Sequence, residues 1–123
     1  MKILVVDDEK DVEMLFRQRF RKEIRKGELV FEFAFSGTEA LEILASETPP
    51  EIVYIFSDIN MPGMSGFKLL QQVNEQYPSI KVSMISAYGD QENYEKAMES
   101  GASMFFTKPI NFDTLKKEVR KNI

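Results

Sequence analysis

Residues 52–66 read IVYIFSDINMPGMSG, and the fold is decided there. Ile52 to Phe56 are apolar, without the alternation of a half-solvated strand, so a strand at this place needs cover on both faces. The run ends at Ser57 and Asp58 and then turns through Met61-Pro62-Gly63-Met64-Ser65-Gly66. Proline fixes φ, the glycines permit positive φ, and Ser65 is placed to cap a helix that begins directly after.

Outward from that unit, strand-like runs alternate with helical patterns along the whole chain, at residues 2–6, 29–35, 52–57, 81–85 and 104–107. The run ILVV at 3–6 is as apolar as IVYIF. Such alternation is the signature of an α/β domain, a doubly wound five-stranded parallel sheet with helices on both faces. Five helices are expected. Val12, Leu15, Phe16, Phe20 and Ile24 recur at intervals of three and four, one buried stripe on a first helix that Gly27 ends. The second carries Ala40, Leu41, Leu44 and Ala45 and stops before Pro49-Pro50, whose missing N–H groups cannot continue it. The third follows Gly66 with Phe67, Leu70 and Val73 and ends near Pro78. The fourth carries Tyr94, Ala97 and Met98 and closes at Gly101, and the fifth begins near Asn111 with Phe112, Leu115 and Val119 inward.

With 123 residues the chain is read as one domain, 1–123, large enough to bury a core without staples. It has neither cysteine nor histidine, which removes disulfides, thiolate zinc sites and the commonest general base. A metal must then be held by oxygen, which suits Mg²⁺, Mn²⁺ or Ca²⁺ over softer ions. A formal net charge of -4 opposes the broad positive field that nucleic acid binding needs, so protein partners are expected. The apolar runs are too short to span a bilayer and Lys2 leads straight into a strand, so a cytoplasmic protein without membrane attachment is expected.

Ligands of an open parallel sheet bind beyond the carboxyl ends of its strands. The residues leaving the strands are Asp7, Asp8, Asp58, Ser86 and Lys108. Aspartate is common in any one such loop, but three carboxylates on one rim repel each other and raise each other's pKa unless a cation lies among them. A divalent ion is therefore expected at this rim.

The ordered set ILVVDDE at 3–9, SDINMPGMSG at 57–66, ISA at 85–87 and TKP at 107–109 resembles the receiver domains of two-component response regulators over essentially the whole chain. The resemblance implies the strand order 2-1-3-4-5 and a phosphoacceptor switch rather than a turnover enzyme. It implies that Asp58 takes a phosphoryl group from a phosphohistidine of a sensor histidine kinase or phosphotransfer protein. It further implies that Asp8 and Asp58 ligate Mg²⁺ directly, that the Asn60 backbone carbonyl adds a third oxygen, and that Asp7 acts mainly through water. Mn²⁺ or Ca²⁺ is expected to substitute. Lys108 would supply the cation that neutralises charge on the phosphoryl oxygens. Family members commonly have the peptide after this lysine in cis, which the sequence leaves open.

By the same resemblance Ser86 is the hydroxyl that moves toward the new phosphoryl group, and Phe105 the aromatic that turns inward with it. Phe105 is equally readable as core. Tyr88, like Asn60, would stand where access of water to the phosphoryl group is controlled. Arg17, Arg19, Arg21, Lys22, Arg25 and Lys26 form a basic run, read first as a solvated face and second as a docking surface toward a kinase. The expected output is a changed surface formed by the fourth helix, fifth strand and fifth helix, offered to a downstream effector. Relatives often dimerise through that face, so a homodimer is an expectation that no residue here fixes.

Two other readings of a strand-end aspartate fail on neighbouring residues. A haloacid-dehalogenase-like phosphatase needs an acid/base aspartate two positions after the nucleophile, and Asn60 has no proton to exchange. A flavodoxin-like FMN carrier needs a hydroxyl- and glycine-rich loop after the first strand, where this chain has Asp7, Asp8 and Glu9. The alternative that stays open is a receiver-like docking module that acts without phosphorylation.

Overall fold

Successive side chains of the central strands face opposite ways, and each direction meets its own apolar layer. Leu4 and Val6 pack with Ala40, Leu44, Leu70, Val73 and Ala97, while Ile3 and Val5 pack with Val12, Phe16, Phe20, Leu115 and Val119. All four strand residues are at most 2% exposed, and burying each such side chain is worth about 1.5–3 kcal/mol. This is the doubly covered sheet that unbroken apolar strands require.

The computed structural model describes residues 1–123. Its elements are β1 (Lys2–Val6), α1 (Asp11–Arg19), α2 (Arg21–Arg25), β2 (Val30–Ala34), α3 (Gly37–Ala45), β3 (Ile52–Asp58), α4 (Gly66–Gln76), β4 (Lys81–Ser86), α5 (Gln91–Glu99), β5 (Phe105–Thr107) and α6 (Phe112–Lys121). The strands are parallel in the order β2-β1-β3-β4-β5. One core lies between the sheet and α3, α4 and α5, the other between the sheet and α1, the α1–α2 junction and α6. No helix is long and apolar enough to cross a membrane.

The expected single first helix is two, which makes six helices rather than five. Phe20 leaves helical geometry at φ -106°, ψ 20°, yet its N–H still bonds the Phe16 carbonyl at 3.0 Å and its carbonyl accepts from Ile24 at 2.9 Å. The bend centres on a ring that is fully enclosed by Phe16, Phe31 and Phe112, so packing of that ring outranks a straight axis. Gly27, with φ +76°, ends the second piece as expected.

Some residues assigned to the inner stripes lie outside. Leu15 is 41% exposed, Tyr94 45% and Met98 37%, and Ala45 is exposed as well. On α5 only Ala97 is fully buried, because that helix leans on an edge strand of three residues that offers little surface to cover. Val53 is exposed within the apolar run of β3, and the pairing explains it. Lys2 pairs with Ile52 but Ile3 with Tyr54, so Val53 is skipped by an irregularity and takes no ladder position. As expected, α3 stops before Pro49-Pro50, ending at Ala45.

Candidate functional site

The rim is assembled by backbone bonds that continue each strand pairing past its end. Asp7 N–H bonds the Ala34 carbonyl at 3.1 Å, Ile59 N–H the Ile85 carbonyl at 3.0 Å, and Lys108 N–H the Ser86 carbonyl at 2.9 Å. These bonds extend the β1–β2, β3–β4 and β4–β5 pairings, and the β1–β3 ladder, with Val6 opposite Ser57, sets the Asp7 end beside the Asp58 end. Asp7, Asp8 and Asp58 each offer a carboxylate oxygen within 4.8 Å of the others, Asp8 exposed and its two partners buried. Lys108 Nζ reaches into this group, 3.0 Å from Asp7 Oδ2 and 3.5 Å from Asp58 Oδ2. The Lys108–Pro109 peptide, left open by the sequence, is cis.

Charge and burial conflict at this point. Burial pushes the Asp58 carboxyl up to about 6, with help from the negative charge of Asp7, while Lys108 and the Asn60 backbone N–H pull it down. Burial raises Asp7 too, against hydrogen bonds from the Glu9 N–H and Lys108. For Lys108 burial acts downward but is outweighed by the Asp7 hydrogen bond and the charges of Asp7, Asp58 and Glu9, so its ammonium is held above the ordinary range. One ammonium among three aspartates leaves surplus negative charge on oxygen ligands only, and that donor set fits a hard divalent cation.

The loop beneath Asp58 is fixed by close backbone contact and by short local hydrogen bonds. Gly66 N–H bonds the Ile59 carbonyl at 2.8 Å, and a Cβ on Gly66 would collide with the Asp58 carbonyl oxygen and come within 2.8 Å of Ile59 Cα. Ser65 caps α4 by accepting the Lys68 N–H at 3.3 Å, and Gly63 takes φ +76°. Ser57 Oγ donates to the Asp58 carbonyl at 3.0 Å. The acid is thus held by its backbone, while its carboxylate meets the Lys108 ammonium and the Asn60 N–H.

The remaining expected residues are placed unevenly around the rim. Ser86 is fully buried at the end of β4, but its hydroxyl donates to the Tyr88 carbonyl and accepts the Tyr88 N–H, both at 3.0 Å, so it serves its own loop. The Tyr88 side chain is 64% exposed and Asn60 is exposed. Phe105 is half-buried, edge-on to Tyr94 with ring centroids 5.8 Å apart. Sequence reasoning gave Glu9 no part here, yet its Oε1 lies 3.7 Å from Lys108 Nζ. Three acids in succession at 7–9 were the signal for it. The basic run divides: Arg17 pairs with Glu13 at 3.0 Å and Arg19 lies over Phe112, while the α2 cations sit at the far end of the molecule, where Val30 pairs with Lys2.

A parallel sheet of this order, with an acid triad and a lysine at its strand ends, is a doubly wound domain with a charged site at its ligand-binding edge. The comparisons narrow that class. A family profile for the response regulator receiver domain matches residues 3–120, and the chain belongs to that family. Sporulation initiation phosphotransferase F of Bacillus subtilis is 32% identical over 120 residues, covering 98% of this chain and 91% of that protein. Response regulator protein PilR of Pseudomonas aeruginosa is 34% identical across 96% of this chain, which spans only 25% of PilR's length. Among solved structures, the response regulator TrrA of Thermotoga maritima in complex with Mg²⁺ and BeF superposes with a TM-score of 0.79 at 28% identity, covering 99% of this chain and 98% of that one. The chemotaxis protein CheY4 of Vibrio cholerae gives 0.82 at 27% identity, with 99% and 98% covered. Receiver domains are phosphoproteins of two-component signalling, phosphoacceptor switches rather than turnover enzymes, and they bind Mg²⁺ in an acidic pocket.

Proposed function

We propose that this chain accepts a phosphoryl group on Asp58 and thereby switches a protein-binding surface. The observation that carries the reading is the meeting of Asp7, Asp8 and Asp58 within 4.8 Å around the Lys108 ammonium. An oxygen of the Asp58 carboxylate bonds to phosphorus as the P–N bond of a partner's phosphohistidine breaks, its electron pair leaving with the imidazole. The partner is a sensor histidine kinase or a phosphotransfer protein. Asp8, Asp58 and the Asn60 backbone carbonyl would hold Mg²⁺, with Asp7 acting through water and Mn²⁺ or Ca²⁺ able to substitute. When bound, the ion neutralises charge on the phosphoryl oxygens and on the carboxylates. Lys108 carries the other positive charge to those oxygens and gives up part of its hold on Asp7 to do so.

The Ser86 hydroxyl then exchanges its Tyr88 carbonyl for a phosphoryl oxygen, and Phe105 follows by turning inward from its edge contact with Tyr94. Tyr88 and Asn60 limit the approach of water to the aspartyl phosphate. The altered face is read by an effector protein or domain in the cytoplasm, not directly by nucleic acid, and a homodimer through α5, β5 and α6 is one form of that output. A second reading, a docking module that works without phosphorylation, is favoured by one observation: both hydrogen-bonding capacities of Ser86 are already satisfied within its own loop.

Acetyl phosphate and Mg²⁺ separate the two. A phosphate-sized mass gain that requires Mg²⁺ and disappears in Asp58→Asn supports the switch, with beryllofluoride binding as a companion. No gain under saturating donor assigns the chain to the docking module.

A further inference from the structure

Tyr54 stands on β3 four residues before Asp58, fully buried, and its hydroxyl serves no part of the rim. It donates to Glu118 Oε2 of α6 at 2.6 Å. A tyrosine has one hydroxyl hydrogen, so the Ser83 hydroxyl of β4, also against the Tyr54 oxygen, is the donor in that second bond. A one-way chain results, from Ser83 to Tyr54 to the Glu118 carboxylate. Ser83 is fully buried and Glu118 is 8% exposed. The bond to the carboxylate is charge-assisted, the hydroxyl–hydroxyl bond is not, and both are shielded from water and so costly to break.

The bond set joins three elements of the switch. Tyr54 shares β3 with Asp58, Ser83 shares β4 with Ser86, and Glu118 lies in the C-terminal half of α6. Around it α6 is further fastened. Phe112, Leu115 and Val119 are buried, Lys116 pairs with Glu23 at 3.6 Å, and Lys81 Nζ donates to Asn122 Oδ1 at 2.8 Å at the helix end. The opposite case is α5, which buries only Ala97 and is tied across by Asn74 Nδ2 to the Ser100 carbonyl at 2.8 Å. Elements with few buried contacts open at low free energy, and those with enclosed polar networks do not.

We infer that the Ser83–Tyr54–Glu118 chain is a latch that pins α6 to the strand bearing the phosphoacceptor, so that activation remodels α5 and β5 and leaves α6 in place. Tyr54 and Glu118 are positioning residues. They touch no reacting atom and act through the helix they hold. The responsive surface of this chain is accordingly narrower than the α5, β5 and α6 face named above. The inference rests on Asp58 being the acceptor, and its test has an arm that does not.

The test is amide hydrogen exchange of the full chain, with and without Mg²⁺ and beryllofluoride, in wild type, Tyr54→Phe, Glu118→Leu and Glu118→Gln. Glutamine keeps an oxygen that accepts from Tyr54, so that variant preserves the latch. Expected in wild type is a change on beryllofluoride in α5 and β5 with α6 amides unmoved. In Tyr54→Phe and Glu118→Leu the change spreads into α6, and Glu118→Gln restores the wild-type pattern. An equal response of α5 and α6 in wild type overturns the latch, as does a Tyr54→Phe response still confined to α5 and β5. If beryllofluoride produces no response in any protein, the acceptor reading fails, and the comparison without it still decides the latch. Faster α6 exchange in Tyr54→Phe and Glu118→Leu, but not in Glu118→Gln, then supports it, and unchanged α6 exchange refutes it.

Discussion

Replacing Asp58 by asparagine should stabilise the metal-free protein, although it destroys the proposed acceptor. In the folded chain burial and Asp7 push the Asp58 carboxyl up to about 6, against an ordinary 3.8. The folded state therefore binds a proton more tightly than the unfolded state, and stability falls as pH rises from about 4 to about 6. Fully expressed, the difference corresponds to about 3 kcal/mol. The mouth of the site is open, Asp8 being exposed, and screening reduces the figure to about 1–2 kcal/mol. Asparagine removes the charge at nearly constant shape. Urea unfolding in EDTA should give equal midpoints for wild type and Asp58→Asn near pH 4, and at pH 8 a variant more stable by that amount. Added Mg²⁺ should stabilise the wild type and narrow the gap, since a ligand of the native state stabilises by mass action. A variant no more stable than wild type at pH 8, or a gap that ignores pH, would refute the account of burial and charge at Asp58.

Gly66→Ala should lower stability by about 2–3 kcal/mol in the same assay, because its Cβ meets backbone at Asp58 and Ile59 rather than a side chain that can move aside. Lys108→Arg keeps the charge but not the compact ammonium, and acetyl phosphate labelling should slow by about tenfold while Mg²⁺ binding, followed by isothermal titration calorimetry, persists. Tyr88→Ala should shorten the lifetime of the aspartyl phosphate, read as loss of the mass gain after donor removal. An unchanged lifetime removes Tyr88 from the access role.

The strands and the rim were legible because both follow from short-range pattern. Apolar runs covered on both faces gave β1 and β3, and their exits gave Asp7, Asp8 and Asp58 with Lys108 opposite. The helices were legible in place but not in every inward residue. Leu15, Tyr94 and Met98 fit the helical period yet face solvent, since a period marks one face of a helix but not how wide a stripe the neighbours cover. Buried polar pairs were out of reach altogether. Tyr54 lies 64 residues from Glu118, and a tyrosine in an apolar run does not announce the carboxylate that will meet it. Ser86 was found by position, but its bonds to Tyr88 depend on a loop geometry that no local pattern specifies.

The skipped residue in β3 has a consequence for reading frame. Ile52 packs in the core under α3 and α4, whereas Tyr54 packs under α1 and α6, so the strand changes phase across Val53 and keeps the new phase to Asp58. Side chains alternate with a period of two, so losing one residue that holds a ladder position between Tyr54 and Asp58 would invert every side chain on one side of the change. Val53 holds none, and without it Ile52 and Tyr54 would be consecutive residues on opposite faces, where they already pack. The exposed valine is thus free in identity and in count, whereas its neighbours in the ladder cannot be lost.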